Sequence, residues 1–280
     1  MILRIYIFLM IPAEKFLKLW LLLIFIRKKV LLINYMEKKY ILGVITARGG
    51  SKGIPRKNIK LLGGKPLIAY TIKSAKDSKL ITHLIVSTDD DEIAEICRQF
   101  GANVPFMRPA ELARDESAHL EVMEHAIKTM EEKLGIIFNF VVILQPTSPF
   151  RIPEDIDNTI QKLINHPEAD CAFSMVEVDD PHPSRIKRME DDRVFPYSMP
   201  EKEGLRRQDL EKAYKRNGSV YVIRRDFIMK NHHLFSDNAV GYIVPQERSV
   251  DINTDFDWFR SEYMMEELRK KNTKIYRKYF

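Results

Sequence analysis

Apolar and polar positions along the chain follow two rhythms: short continuous apolar runs, and longer stretches with an apolar residue every third or fourth position. Tyr40–Ala47 (YILGVITA), His83–Ser87 (HLIVS) and Phe140–Leu144 (FVVIL) belong to the first kind, and their β-branched content predicts buried strands. Asn103–Met107 reads as a further short strand. Pro66–Ser78 predicts a helix, because proline fits the first helical turn. Asp90–Phe100 predicts another, with acids at its start, Ile93, Ile96, Cys97 and Phe100 on one face, and Gly101 as a left-handed cap. Leu120–Leu134, after Ser117, and Pro153–His166 read as two more. This alternation predicts an α/β fold with a mostly parallel, helix-covered sheet.

Two stretches depart from it. Between residues 179 and 214, prolines 181, 183, 196 and 200 mix with charges and isolated aromatics without a sustained period. Alternation resumes at Ser219–Ile223, Val240–Val244 and a terminal helix from about Phe256, so 179–214 reads as a protruding arm or hairpin. The first 35 residues are the other exception. Their longest uncharged apolar run, Leu19–Ile26, is far short of the roughly 20 residues of a membrane-spanning helix. No small-residue cleavage site follows it. Met36 precedes Glu-Lys-Lys and then a strand, so residues 1–35 read as an upstream extension ahead of a domain at 36–280, in preference to a membrane-surface anchor.

Charge sharpens this division. Six basic residues against Glu14 alone put +5 of the net +6 in the first 35 residues and leave +1 for the rest. A nearly neutral domain argues against a nucleic-acid face. Cys97 and Cys171 are too few for a disulfide framework, which points to a reducing, cytoplasmic setting, and both read as buried thiols. The seven histidines are scattered, with no cysteine beside His232-His233.

Against that neutral background one segment stands out: Ala47-Arg48-Gly49-Gly50-Ser51-Lys52-Gly53-Ile54-Pro55-Arg56-Lys57-Asn58. Glycines directly after a strand let backbone N–H groups form a concave anion site. Arg48, Lys52, Arg56 and Lys57 add four cations, a concentration that suggests a polyphosphate. The segment is neither a P-loop nor a dinucleotide fingerprint, since Gly53 is followed by Ile54-Pro55.

The segment closely resembles the signature of the acylneuraminate (CMP-sialic acid) cytidylyltransferases. The resemblance continues in order through Ile85-Val86-Ser87-Thr88-Asp89-Asp90, Arg108-Pro109-Ala110-Glu111-Leu112-Ala113, Leu144-Gln145-Pro146-Thr147-Ser148-Pro149, Arg206-Arg207-Gln208-Asp209, Asn217-Gly218-Ser219 and Val250-Asp251-Ile252-Asn253. It implies a nucleotide-diphospho-sugar transferase-like sheet with a dimerisation arm, and a homodimer. The implied reaction couples CTP to a nine-carbon 2-keto acid sugar and releases pyrophosphate.

By that resemblance Arg48, Lys52 and Lys57 hold the CTP phosphates, assisted by Asn58 and the Ser51 backbone, with Ser87 near the nucleotide. Gln145, Thr147 and Ser148 face the sugar, and Arg207, with Arg206 or Gln208, takes its carboxylate as a guanidinium fork. Asp251 is the implied Mg²⁺ ligand, with Asn253 and Asp257 in the same set; Arg48, Lys52 and Asp251 carry the catalysis. Asn253 departs from the usual Asp-Ile-Asp, since an amide oxygen coordinates without adding charge. It leaves the base unassigned, and a metal-lowered pKa of the sugar hydroxyl is the preferred account. The rival readings are a nucleotidyltransferase for an eight-carbon acid or another nucleotide, and a catalytically weak binding homologue.

Overall fold

The computed structural model describes residues 39–51, 53–114, 118–178, 180–201, 204, 206 and 209–271. The extension at 1–35, the helix-start residue Ser117, Lys52, Arg207 and Gln208 lie outside the described residues. The chain divides at Lys39, and Tyr40–Phe280 is the unit that carries the fold.

Strand β1 (Ile41–Thr46) alternates strictly: Ile41 and Ile45 enter one apolar cluster, Leu42 and Val44 another. Both faces are therefore covered, which is why the run is continuously apolar. A two-residue ribbon, β2 (Leu61–Leu62) with β3 (Lys65–Pro66), leads into helix α1 (Leu67–Lys76), strand β4 (His83–Ser87) and helix α2 (Asp91–Gln99). Asp90 caps α2 by accepting from the Ile93 N–H at 2.9 Å, and Gly101 takes the left-handed conformation beyond its end. Helix α3 (His119–Leu134), the fully buried strand β5 (Phe140–Leu144), helix α4 (Pro153–Asn165) and strand β6 (Cys171–Val178) follow.

The expected arm contains a hairpin, β7 (Lys187–Glu190) with β8 (Arg193–Pro196), outside the main sheet. Strand β9 (Ala213–Arg224), helix α5 (Arg225–Asn231), strand β10 (Ala239–Ile243) and helix α6 (Asp255–Lys270) complete the described chain.

The main sheet runs β10-β6-β9-β5-β1-β4. β9 alone is antiparallel to its neighbours; the β4–β1, β1–β5 and β6–β10 pairs are parallel. Helices α1, α2 and α4 pack on one face, α3 and α5 on the other. β4 lies on one side of β1 and β5 on the other, so the carboxyl ends of β1 and β5 open a crevice at a topological switch point. The Asn103–Met107 segment forms no named strand. It contributes two isolated bridges, Ile85↔Asn103 and Thr88↔Met107, because Asn and Pro interrupt any longer ladder. Cys97 and Cys171 are buried free thiols, with burial pushing Cys97 up to about 12. Among the described residues no helix is long and apolar enough to cross a membrane.

Candidate functional site

A third apolar cluster sits beneath the glycine-rich loop and joins it to the carboxyl-terminal third. Ile54 from the loop meets Leu62, Leu67, Tyr70, Phe150, Val250, Ile252 and Trp258. Val250 and Ile252 are both buried in it, so the alternating backbone turns Asp251 the other way.

Backbone contacts lock the parts together. Lys57 Nζ donates to the Ile252 carbonyl at 2.7 Å, and the Ile252 N–H donates to the Thr147 carbonyl at 2.9 Å. Gly53 lies so close to the same segment that an added Cβ would stand 2.5 Å from the Asn253 carbonyl oxygen. The result is a cleft of about 300 Å³ lined by Thr46, Arg48, Ser51, Gly53, Lys57, Asn58, Gln145, Pro146, Thr147 and Asn253. It lies beyond the carboxyl ends of β1 and β5.

Arg48, Ser51, Lys57, Asn58, Gln145, Thr147 and Asn253 thus line one cleft, whereas Ser148 and Asp251 are not among its lining residues. Asn58 also braces the loop from within, its Nδ2 donating to the Arg48 carbonyl at 3.0 Å. Burial pulls the Lys57 ammonium below its usual range, against the opposing pull of Asp251 and Asp257. Thr147 Oγ1, Ser148 Oγ and Asp251 Oδ1 are each shut off from solvent without a hydrogen-bond partner. Of these three residues Thr147 lines the cleft, while Ser148 and Asp251 flank its lining residues in the chain.

Other side chains are placed differently. Arg56 does not line the cleft with Arg48 and Lys57. It adopts a left-handed backbone and turns to Asp90, with Nη2 to Oδ1 at 3.1 Å, and to Glu92 at the start of α2. Two nearby carboxylates outbid a loop position, and their hydrogen bonds raise its pKa. Ser87 is fully buried at the end of β4 and does not line the cleft; its Oγ accepts from Arg108 Nε at 3.1 Å. Arg206 pairs with Asp209 at 2.8 Å on the surface.

Asp251, Asn253 and Asp257 make different contacts. Asn253 Nδ2 donates to Asp251 Oδ2 at 2.8 Å, the orientation a carboxylate that only accepts imposes on an amide. Asp257 Oδ2 accepts from the Asn253 and Thr254 N–H groups at 3.0 and 2.8 Å and from the Thr254 hydroxyl at 2.8 Å, capping α6. Burial pushes the Asp257 carboxyl up, but those donors outweigh it and hold it below the usual range.

Three arginines had no assigned role in the sequence reading. Arg108 is buried behind the cleft within electrostatic reach of Asp89 and Arg48, and Arg151 is buried beneath the Gln145 loop. Arg248 grips Asp155 through Nη2 at 2.8 Å and Nε at 3.1 Å, anchoring the loop before Asp251 to the start of α4. For Arg151 the available signal was a charge between apolar neighbours, Phe150 and Ile152; Arg248, between Glu247 and Ser249, carries no such signal.

The sequence model of the family described as Cytidylyltransferase matches residues 42–278. The chain belongs to the cytidylyltransferases. This cytidylyltransferase is 35% identical over 234 residues to the CMP-N,N'-diacetyllegionaminic acid synthase of Legionella pneumophila, spanning 81% of this chain and 96% of that one. It is 32% identical to the post-translational flagellin modification protein B of Campylobacter coli (81% and 95% covered) and 30% identical to the pseudaminic acid cytidylyltransferase of Campylobacter jejuni (75% and 90%). A CMP:2-keto-3-deoxy-manno-octonic acid synthetase complexed with CTP superposes with a TM-score of 0.62 at 19% identity, covering 82% of this chain and 99% of that one. That likeness establishes the nucleotidyltransferase fold of the sheet.

Proposed function

We propose that this cytidylyltransferase transfers CMP from CTP to the anomeric hydroxyl of a nine-carbon 2-keto acid sugar and releases pyrophosphate. The observation that carries the reading is the Lys57–Ile252 contact, which fastens the segment holding Asp251 and Asn253 to the glycine-rich loop, beside a cleft lined by that loop, Gln145, Thr147 and Asn253.

Arg48 and Lys57 offer cations to the triphosphate, and the Ser51 backbone borders the same space. Lys52, on the resemblance, joins them. The sugar hydroxyl attacks the α-phosphorus in line and pyrophosphate leaves toward this loop, a reaction that needs positioning and charge neutralisation more than a protein nucleophile. Gln145 and the unpartnered Thr147 hydroxyl supply neutral contacts for a polyhydroxylated sugar with amide substituents. Arg207, with Gln208, is the proposed fork for the sugar carboxylate, carried on an arm that reaches across a homodimer.

The donor set fits a divalent cation. Asp251 presents a buried, unpartnered Oδ1, a hard oxygen of the kind Mg²⁺ takes. Asp251 would hold Mg²⁺ with the Asn253 amide oxygen as a neutral second donor, and Asp257 serves α6. Bound there, the ion would supply charge neutralisation at the phosphates and lower the pKa of the attacking hydroxyl.

We rank N,N'-diacetyllegionaminic acid first for testing, ahead of pseudaminic and N-acetylneuraminic acids, because two relatives named for it are 35% and 32% identical to this chain and those named for the other two are 30% identical. Purified protein is incubated with CTP and each acid, with an eight-carbon acid alongside. Pyrophosphate release with one of the three, abolished in Asp251→Ala, is expected. Release with the eight-carbon acid alone, or with none, overturns the reading.

A further inference from the structure

Arg151 is 2% exposed, among the largest fully buried side chains of the protein, and no step above uses it. Its Nη1 donates to the Ser219 carbonyl at 2.6 Å and reaches the Gln145 carbonyl at 3.4 Å; its Nη2 donates to Thr71 Oγ1 at 2.7 Å. All three acceptors are neutral. The nearest acid acting on it is Asp155, whose carboxylate is already gripped by Arg248. Burial pulls the guanidinium down to about 9, so it keeps its charge at neutral pH. A buried charge without an ion-pair partner is costly, and a leucine or methionine would fill the same volume without that cost. What the guanidinium adds is a rigid fork able to hold two carbonyls at once.

One of those carbonyls belongs to Gln145, which lines the cleft, and the other to Ser219 on β9. Gln145 begins the loop carrying Thr147, and Ser219 follows Gly218. Gly218 is left-handed, with φ of 77°, and a Cβ there would lie 3.4 Å from Asp251 Oδ2 and 3.5 Å from Gln145 Oε1. The side chains of Gln145 and Asp251 therefore converge over Gly218, while Arg151 ties the backbone on either side below. Thr71 on α1 fixes the fork from beneath.

We infer that Arg151 is a positioning residue for the transfer: it sets the spacing between Gln145 and Asp251, and so the sugar relative to the α-phosphate. The inference rests on the proposed reaction. The loop cations are held separately, through Asn58 to the Arg48 carbonyl and Lys57 to the Ile252 carbonyl, so CTP binding is spared when the fork is lost.

The experiment compares Arg151→Lys, which keeps the charge and loses the fork, with Arg151→Met, Thr71→Val and the Arg151→Lys/Thr71→Val double variant. Steady-state kinetics for sugar and CTP, CTP affinity by calorimetry and thermal midpoints are measured on each. Arg151→Lys is expected to lower kcat at least tenfold, leave the CTP Kd within about threefold, and remain folded at the assay temperature. Thr71 Oγ1 also donates to the Gln145 carbonyl at 3.4 Å, so the double variant is expected to be slower than Arg151→Lys by no more than Thr71→Val alone slows the wild type. Should Arg151→Met fail to fold, the lysine variant and the cycle decide. Wild-type rates in Arg151→Lys overturn the inference, as does a fall in CTP affinity that parallels kcat. A wild-type enzyme that turns over no acid overturns the proposed function instead.

Discussion

Lys57 and Ile252 are 195 positions apart in the chain, yet the Lys57 ammonium donates to the Ile252 carbonyl at 2.7 Å. One half-buried cation thus faces the cleft and fastens the segment bearing Asp251 to the glycine-rich loop. Its ammonium also lies within the field of Asp251 and Asp257, which links the loop cations and the acidic segment into one site.

Replacing Lys57 by Ala should therefore weaken two properties together. Loss of a charge-assisted contact of about 1.5–3 kcal/mol predicts CTP affinity lower by roughly 10- to 100-fold. The unpaired Ile252 carbonyl should also lower the thermal midpoint. Calorimetric titration and thermal melts check this; a weakened CTP affinity with an unmoved midpoint would show that the Ile252 contact does not support the fold.

Of the three loop glycines, Gly50 and Gly53 should respond differently to alanine. At Gly53 the new Cβ meets the Asn253 backbone carbonyl at 2.5 Å, so the loop or the acidic segment must move, at a cost of about 1–3 kcal/mol. At Gly50 nothing lies within 4 Å, and stability should be unchanged. Urea unfolding of both variants gives the comparison, and equal midpoints would contradict the packing.

Asn253→Asp replaces a donor with a second carboxylate beside Asp251. The 2.8 Å hydrogen bond is lost and like charges are forced together, so the variant should be less stable by about 1 kcal/mol without divalent ions. The same change should strengthen ion binding, seen as a larger Mg²⁺- or Mn²⁺-dependent rise in thermal midpoint than in the wild type. Equal shifts in both proteins would mean that Asn253 and Asp contribute alike.

His119 makes stability depend on pH. Its Nε2 is buried without a partner, and burial pulls the ring from 6.5 to about 4. The unfolded chain therefore binds the proton more readily, and stability is fully present above pH 6.5 and falls toward pH 4. Allowing for the partial exposure of the side chain, the loss is about 2 kcal/mol. His119→Gln should flatten this slope in urea midpoints measured from pH 7.5 to 4.5, and an unchanged slope would assign the acid sensitivity elsewhere.

Local pattern was enough for most of the framework. The apolar runs at Ile41–Thr46, His83–Ser87 and Phe140–Leu144 are strands of the central sheet, and the acid-rich start of α2 with Gly101 beyond its end is a capped helix. Burial periodicity and backbone preference are properties of neighbouring residues, so they can be read without knowing what packs against them. The strand direction of β9 was not legible, because parallel and antiparallel neighbours bury the same side chains.

Charge partners were the least legible feature, since a Coulomb contact depends on distance in space. Nothing beside Arg56 shows that it turns to Asp90 and Glu92, and nothing beside Asn253 shows that its amide is spent on Asp251. Arg151 looks in the sequence like the end of a proline-bounded loop; only the meeting of α1, β5 and β9 makes it a buried fork. Residue order along the chain determined the strands, the helices and the cationic loop of this cytidylyltransferase. Which of its charges face the cleft was decided by chain segments folded together from up to 195 positions apart.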